Sequence, residues 1–331
     1  MRAIDYGQAG AASLEESWNR LALATPQPDP FSATTHWQLA FYEALDPHAS
    51  LVVRQSDEGL IQFARRSVRG AQALLPIERN WLFGCNLLGA GALDLLGALL
   101  DELASGETTQ CAVVVSGLEP GGALLGEIEA RFADRYELTP HRGGLQCAAS
   151  LSGGLDGFLA RRSANGRRNL RRVAKRAAEN GVLLQRHAPR TAEEAEAVFA
   201  RMLAVELRSW KGLGQCGMES PRMSRFYSTM LRRLARAGDA RVIFATFEGD
   251  DIGFIFGGLA GGIYRGQQFS FDNEFAVWSI GNLMQFEQVR WLCEEGAKRY
   301  DLGPLLGPSM QYKHHWTELQ LPIQALVIRP R

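Results

Sequence analysis

The stretch from Phe269 to Trp316, FSFDNEFAVWSIGNLMQFEQVRWLCEEGAKRYDLGPLLGPSMQYKHHW, constrains the fold more than any other part of the chain. It runs from a polar strand end through a short loop into a helix, then a second strand, then an aromatic-basic run. Ser279-Ile280-Gly281-Asn282 sits where an amphipathic helix begins, with Leu283, Phe286, Val289 and Leu292 at helical spacing behind it. A small-residue turn at a helix N-terminus leaves backbone N–H groups unpaired and pointing outward, which suits an anion and most often a phosphate. The same letters also describe an ordinary helix start with small capping residues. The order of the flanking elements has to decide between the two.

Composition narrows the partners. The 331 residues are 46% hydrophobic and 22% charged, with 36 basic and 36 acidic side chains, so no global charge draws the chain to nucleic acid or membrane. Cys85, Cys111, Cys147, Cys216 and Cys293 are scattered without a CxxC and without metal-like spacing against the six histidines. Isolated cysteines in odd number read as reduced thiols, and no metal site is expected. The opening MRAIDYGQAGAASLEESW has no apolar signal core, and the apolar run from Leu87 to Leu100 is broken by Asp94 and too short to span a bilayer. A cytoplasmic protein with no membrane span is expected.

Periodicity and turn signals place helices at Ser13–Leu23, with Ser13 as N-cap and Glu16 completing a capping box, and at Thr35–Leu45. Short strands follow at Leu51–Val53, Ile61–Ala64, Ala73–Pro76 and Cys111–Gly117. A helix is expected over Gly121–Tyr136 and a strand over Leu145–Leu151. A second block reads as a basic helix Phe158–Asn180, a strand Val182–His187, and a long helix Thr191–Lys211 capped by Thr191 and Glu194. It continues with a helix Arg222–Ala237, a strand Ala240–Glu248, a turn at Gly249-Asp250-Asp251, and strands Ile252–Leu259 and Gly262–Phe271. A helix at 281–295 and a strand at 298–302 close it. The two blocks share an order, which suggests two similar α/β halves, 1–152 and 153–331.

The second block resembles the cofactor core of the GNAT acyltransferase superfamily, and more narrowly the tandem-GNAT group that includes FemAB-type aminoacyl transferases and CelD-like acetyltransferases. The residues that carry the resemblance are Arg167-Arg168-Asn169-Leu170-Arg171-Arg172, Glu206 with Trp210-Lys211, Gly249 to Phe254, Phe271-Asp272, Ser279-Ile280-Gly281, Tyr300-Asp301-Leu302-Gly303 and Tyr312-Lys313. It covers roughly Arg161 to Trp316. The family's loop usually reads Ser-Pro-Gly where this chain has Ser279-Ile280-Gly281, and the first half lacks such a loop. The resemblance implies two GNAT-like halves of mixed sheets flanked by helices with a cleft between them. It further implies that the second half alone takes the acyl donor, acetyl-CoA or another acyl-CoA, with no metal.

On that resemblance Ser279, Ile280, Gly281 and Asn282 form the pyrophosphate cradle, and the strand before this helix splays from the next to leave a gap for the pantetheine arm, flanked by Val277-Trp278. Asp272, at a strand end, is the candidate acceptor of the proton lost by an attacking amine; the same carboxylate would equally close the strand with an Asx turn. Tyr312 and Lys313 are candidates to protonate a leaving thiolate or to pair with a carboxylate. The run through His314 and His315 also reads as a half-exposed strand, whose adjacent histidines point to opposite faces and make a poor metal pair. Glu206, Trp210 and Lys211 are candidates for the acceptor site, with Trp210 equally readable as core.

Arg168 belongs to a run of eight basic residues between Arg161 and Arg176, which reads as a solvated face, an anion site, or a contact for tRNA. A small-molecule, sugar or amino-acid-derived acceptor is the expected partner. A tRNA-borne donor, a homodimer and a catalytically inactive binding protein remain the alternatives.

Overall fold

The computed structural model describes residues 11–105, 111–214 and 217–331, so Cys216 and the first ten residues of the N-terminal reading lie outside the described residues. The elements of the first part are α1 (Ala11–Ala24), α2 (Pro30–Ala33), α3 (Thr35–Leu45), β1 (Ser50–Gln55), β2 (Leu60–Val68), β3 (Ala71–Leu75), β4 (Leu87–Leu88), α4 (Ala92–Ser105), β5 (Ala112–Leu118), α5 (Ala123–Phe132) and β6 (Tyr136–Ser150). Then come α6 (Gly154–Ala160), α7 (Ala164–Glu179), β7 (Leu183–His187), α8 (Ala192–Arg208), α9 (Trp210–Leu213), α10 (Pro221–Ala237), β8 (Ala240–Phe247), β9 (Asp250–Ala260) and β10 (Ile263–Phe271). After β10 follow α11 (Ile280–Glu294), β11 (Arg299–Pro304) and β12 (Leu319–Pro330), with 3-10 turns at Asn273–Trp278 and Pro308–His315. This is a mixed α/β fold with helices flanking mixed sheets.

The chain divides into two compact units, one of residues up to Gln146 together with Leu321–Arg331, the other Cys147–Gln320. The division falls earlier than 152/153, and the chain end returns to the first unit because β12 pairs antiparallel with β5. Sequence reading gave no strand there. Pro322 weakens the pattern, yet the pairing with β5 starts at Gln324, beyond it.

In the first unit β1, β2 and β3 form an antiparallel ladder, and β3 pairs parallel with β5 across α4. Parallel neighbours need such a crossover, and α4 supplies it with an apolar face of Leu96, Leu99 and Leu100. The β3–β5 pairing lasts only for Ala73↔Ala112 and Leu74↔Val113. Beyond it, β5 is served by residues 84–86. Asn86 Nδ2 donates to the Val114 carbonyl at 3.0 Å, its Oδ1 accepts from the Ser116 N–H at 3.1 Å, and the Ser116 hydroxyl donates to the Gly84 carbonyl at 2.8 Å. Gly84 is itself held by Glu78, which accepts from its N–H at 2.8 Å and also from the Trp37 indole. Burial pushes the Glu78 carboxyl up to about 8.

The second unit repeats this order. β8, β9 and β10 are antiparallel, β10 pairs parallel with β11 across α11, and β7 lies outside β8. The repeat suggested by element order is thus one of topology: β1-β2-β3-α4-β5 against β8-β9-β10-α11-β11. Apolar side chains of α7 (Val173, Ala177) and α11 (Ile280, Leu283, Met284) cluster with β8 and β9 to form one core, and Tyr264 stacks on Tyr300 at 5.5 Å in another.

Local capping sets the helix limits. The expected single helix Phe158–Asn180 is two helices, because Ser163 accepts from the Gly166 N–H at 3.0 Å and starts α7 afresh. Thr191 and Glu194 cap α8 as expected from their spacing. That helix stops at Arg208 rather than Lys211, since Ser209 caps the short α9. Ser13 lies inside α1, which already includes Ala11, and so is not its N-cap.

Candidate functional site

The site grows out of the point where β10 and β11 part. Their parallel register runs Ile263↔Arg299, Tyr264↔Tyr300, Arg265↔Asp301 and ends there; β10 then bulges between Gly266 and Gln268. At the last rung, Arg265 Nη1 lies 3.0 Å from Asp301 Oδ1, with both side chains buried. The same oxygen accepts from the Gly303 N–H at 2.8 Å, and the other accepts from Arg299 at 3.2 Å. Gly303 turns the strand away with φ +73, and a Cβ there would strike the Arg265 guanidinium, so the bend requires glycine.

The gap that opens is a cavity of about 480 Å³. Gly266, Gln267, Gln268 and Phe269 of β10 form one wall, with Leu302 of β11 and Gln285 of α11 opposite. Trp210 and Lys211 of α9 and Met310, Tyr312 and Lys313 of the turn after β11 complete it. Among the described residues no aspartate or glutamate lines it.

Its polar groups are mostly donors. Lys211 Nζ donates to Gln268 Oε1 and to the Phe269 carbonyl, each at 2.8 Å, and Gln268 Nε2 donates to the Tyr227 hydroxyl at 2.6 Å. Lys313 is buried and donates one N–H to the Pro304 carbonyl at 2.6 Å; burial, with Arg265 nearby, pulls its ammonium down to about 8. Tyr312 packs edge-on against Phe269 at 5.3 Å, and burial pushes its phenol up to about 12. The Tyr312 hydroxyl makes no hydrogen bond within the protein among the described residues. The enclosed Gln267 Nε2 likewise has no partner. Gln285 Oε1 accepts from the Tyr300 hydroxyl.

Of the residues singled out from sequence, Trp210, Lys211, Tyr312 and Lys313 meet in this cavity. Asp272 and Glu206 do not line it. Asp272 Oδ2 accepts from Arg208 Nε at 2.6 Å and its Oδ1 from the Glu274 N–H at 3.0 Å, which closes the strand into the 3-10 turn. Glu206 is buried and accepts from the Met218 N–H at 2.9 Å and from the Ser270 hydroxyl, tying α8 to β10. Trp278 packs on Phe247 and Phe275, both at 5.1 Å, so Trp278 and the exposed Val277 do not flank the gap as expected.

At the loop, Ser279 is left-handed (φ 59) with no side-chain cap, and Ile280 is core. Gly281 fits between Phe269 and Phe271, which a Cβ would approach to 3.2 and 3.3 Å. Asn282 lines a second hollow of about 430 Å³ with Arg161, Arg162, His314, His315 and Glu318, and Glu318 is paired with both arginines. Asn282 and Gln285 lie one helical turn apart on α11, so the same helix borders the hollow and the cavity. Arg168 is exposed on α7 with Arg171, Arg172, Lys175 and Arg176, and lines neither space. Among the described residues no cluster of His, Cys, Asp or Glu could hold a metal, and no helix is long and apolar enough to cross a membrane.

Sequence reasoning missed Gln267, Gln285 and the Arg265–Asp301 pair. A signal existed in the polar pair Gln267-Gln268 in the middle of a strand, and in the position of Asp301 near the end of the next one.

Residues 164–314, from the start of α7 into the turn after β11, match the family model of an acetyltransferase (GNAT) domain. A search of curated proteins by sequence finds no match. Among solved structures, the chain is similar to a conserved protein of unknown function from Bacteroides thetaiotaomicron (10% identity, TM-score 0.67, covering 100% of this chain and 99% of that one). It is similar to FemX (12% identity, TM-score 0.65, 98% and 97%). The third is the C-terminal domain of a putative lysylphosphatidylglycerol synthetase from Agrobacterium fabrum (11% identity, TM-score 0.57, 96% and 92%). At these identities the likeness is one of fold.

Proposed function

Residues 164–314 match the model of a GNAT domain, and on that likeness we propose that the chain transfers an acyl group from acyl-CoA to an amine or hydroxyl of a small acceptor. The observation that carries the proposal is the parting of β10 and β11 at Arg265/Asp301, with a donor-lined cavity in the gap. The thioester lies in the gap. The hollow beside Asn282, with His314, His315 and the Glu318-paired Arg161 and Arg162, takes the phosphate-bearing end along α11.

The acceptor nitrogen or oxygen attacks the thioester carbon, the C–S bond breaks, and a thiolate leaves. The Tyr312 hydroxyl donates a hydrogen bond to the charge that develops on oxygen or sulfur. A phenol raised to about 12 holds its proton against a thiol of ordinary pKa about 8.5, so Tyr312 stabilises the thiolate rather than giving up its proton. The proton shed by the acceptor passes to water at the mouth, where Trp210 is 54% exposed. Asp272 is spent on Arg208 and the turn and takes no part in this scheme.

The test is calorimetric titration with acetyl-CoA and CoA, together with Gly266→Val. That side chain would stand in the gap at a position with ordinary φ, 3.4 Å from Leu302. Tight binding by the wild type and its loss in a folded Gly266→Val protein is the expected result. No binding by the wild type would sink the proposal.

A second reading, an aminoacyl group delivered on tRNA, is favoured by the exposed basic face of α7. It predicts a gel shift that weakens steeply with salt and disappears in Arg168→Glu/Arg172→Glu.

A further inference from the structure

The cavity between β10 and β11 has more donors than acceptors, and this says what kind of substrate enters it. Gln267 presents an enclosed side-chain nitrogen with no partner. Lys313 uses one of its three N–H bonds on the Pro304 carbonyl. The Tyr312 hydroxyl has no protein partner among the described residues. No carboxylate of the described residues faces them across the cavity. Asp301, whose charge acts on Lys313, is already engaged by Arg265, Arg299 and the Gly303 N–H.

A buried donor left unpaired costs about 1–3 kcal/mol, and a buried ammonium seeks a charged partner. A neutral, apolar substrate would leave all three groups unsatisfied. A cationic one would be repelled by Lys313. A planar carboxylate has two oxygens with about four acceptor sites, enough for the ammonium, the amide and the phenol at once. The remaining wall is Phe256, Phe269, Leu302 and Trp210, so the rest of the substrate is apolar.

We propose that one of the two substrates carries a free carboxylate, bound by Lys313 with Gln267, so that the substrate class is an acid and not its neutral amide or ester. The inference rests on the acyl-transfer reading. The carboxylate comes either on the acyl chain of the donor or on the acceptor.

The test titrates the protein at pH 7 by tryptophan fluorescence with two matched pairs: succinyl-CoA against butyryl-CoA, and phenylalanine against phenylalaninamide with CoA present. In one pair the acid is expected to bind at least about tenfold more tightly, a ratio worth about 1.4 kcal/mol. That pair identifies the source. Lys313→Met and Gln267→Leu are each expected to bring the ratio toward one, and the second variant keeps the test open should the first not fold. Binding of butyryl-CoA with no acid preference in either pair overturns this inference alone. An acid preference that survives both variants overturns it as well. An acid preference in the second pair without binding of either thioester leaves the inference and overturns the CoA-donor reading. Silence from all four overturns both.

Discussion

Arg265 and Asp301 face each other on the last paired rung of β10 and β11, 3.0 Å apart and buried, immediately before the two strands separate. The pair stands where strand hydrogen bonding ends, and it replaces that bonding with a charged clamp also joined by Arg299 and the Gly303 N–H. A buried pair has its main effect when broken, because the surviving charge is stranded.

Asp301→Ala is therefore expected to cost about 3–5 kcal/mol in denaturant unfolding. Replacing both partners by apolar residues, Arg265→Met with Asp301→Leu, is expected to cost less than the single change. Equal or greater loss in the double variant would show that the charges themselves are needed.

Tyr312→Phe keeps the ring on Phe269 and removes only the hydroxyl. Turnover of the acetyl donor is expected to fall about 100-fold, the order seen when one donor to a developing oxyanion is removed. Affinity for acetyl-CoA should stay close to wild type. A fall in affinity with unchanged turnover would give the hydroxyl a binding role instead.

Lys313 loses its proton near pH 8 in the fold against an ordinary 10.5, mainly through burial. Between those values the unfolded chain carries the extra proton, so stability is expected to rise with pH from about 8 to 10.5. Melting curves across that window should show the rise in wild type and a smaller one in Lys313→Met.

Glu78 behaves in the opposite sense. Its folded carboxyl titrates near 8 against an ordinary 4.5, so the folded chain holds the extra proton between them and stability falls as pH climbs through that range. Glu78→Gln removes the titration and keeps one acceptor oxygen, for the Gly84 N–H or the Trp37 indole but not for both at their separate positions. Its melting temperature is expected to vary less with pH between 5 and 8 than that of the wild type.

Much of this could be read from the letters, and the gaps have physical causes. The hairpin around Gly249 and the capping of α8 by Thr191 and Glu194 were legible because each depends on a few adjacent residues. The start of α11 was legible too. Burial of the Ile280 side chain and the fit of Gly281 between two phenylalanines were not legible there, because both depend on residues distant in sequence. The helix α4 was read only as an apolar run, since Gly91 and Gly97 blur its period. Tyr312 and Lys313 were picked for their chemistry, yet the run that holds them folds as a 3-10 turn rather than a strand. Their neighbour Gln267 escaped notice because its role depends on a partner it lacks, and sequence has no mark for that.

The segment 84–86 of the first unit has a consequence for heat and ligand together. Asn86 and Gly84 are tethered to the strand they serve, so β5 keeps its partners at any solute concentration. Among the described residues no such tether fills the matching gap beside β10, and a ligand that enters it from solution will stabilise in proportion to the logarithm of its concentration. Two repeats of one topology thus differ in thermodynamic kind: residues 147–320 should melt later as ligand is added, while the fold of the first unit should be indifferent to it.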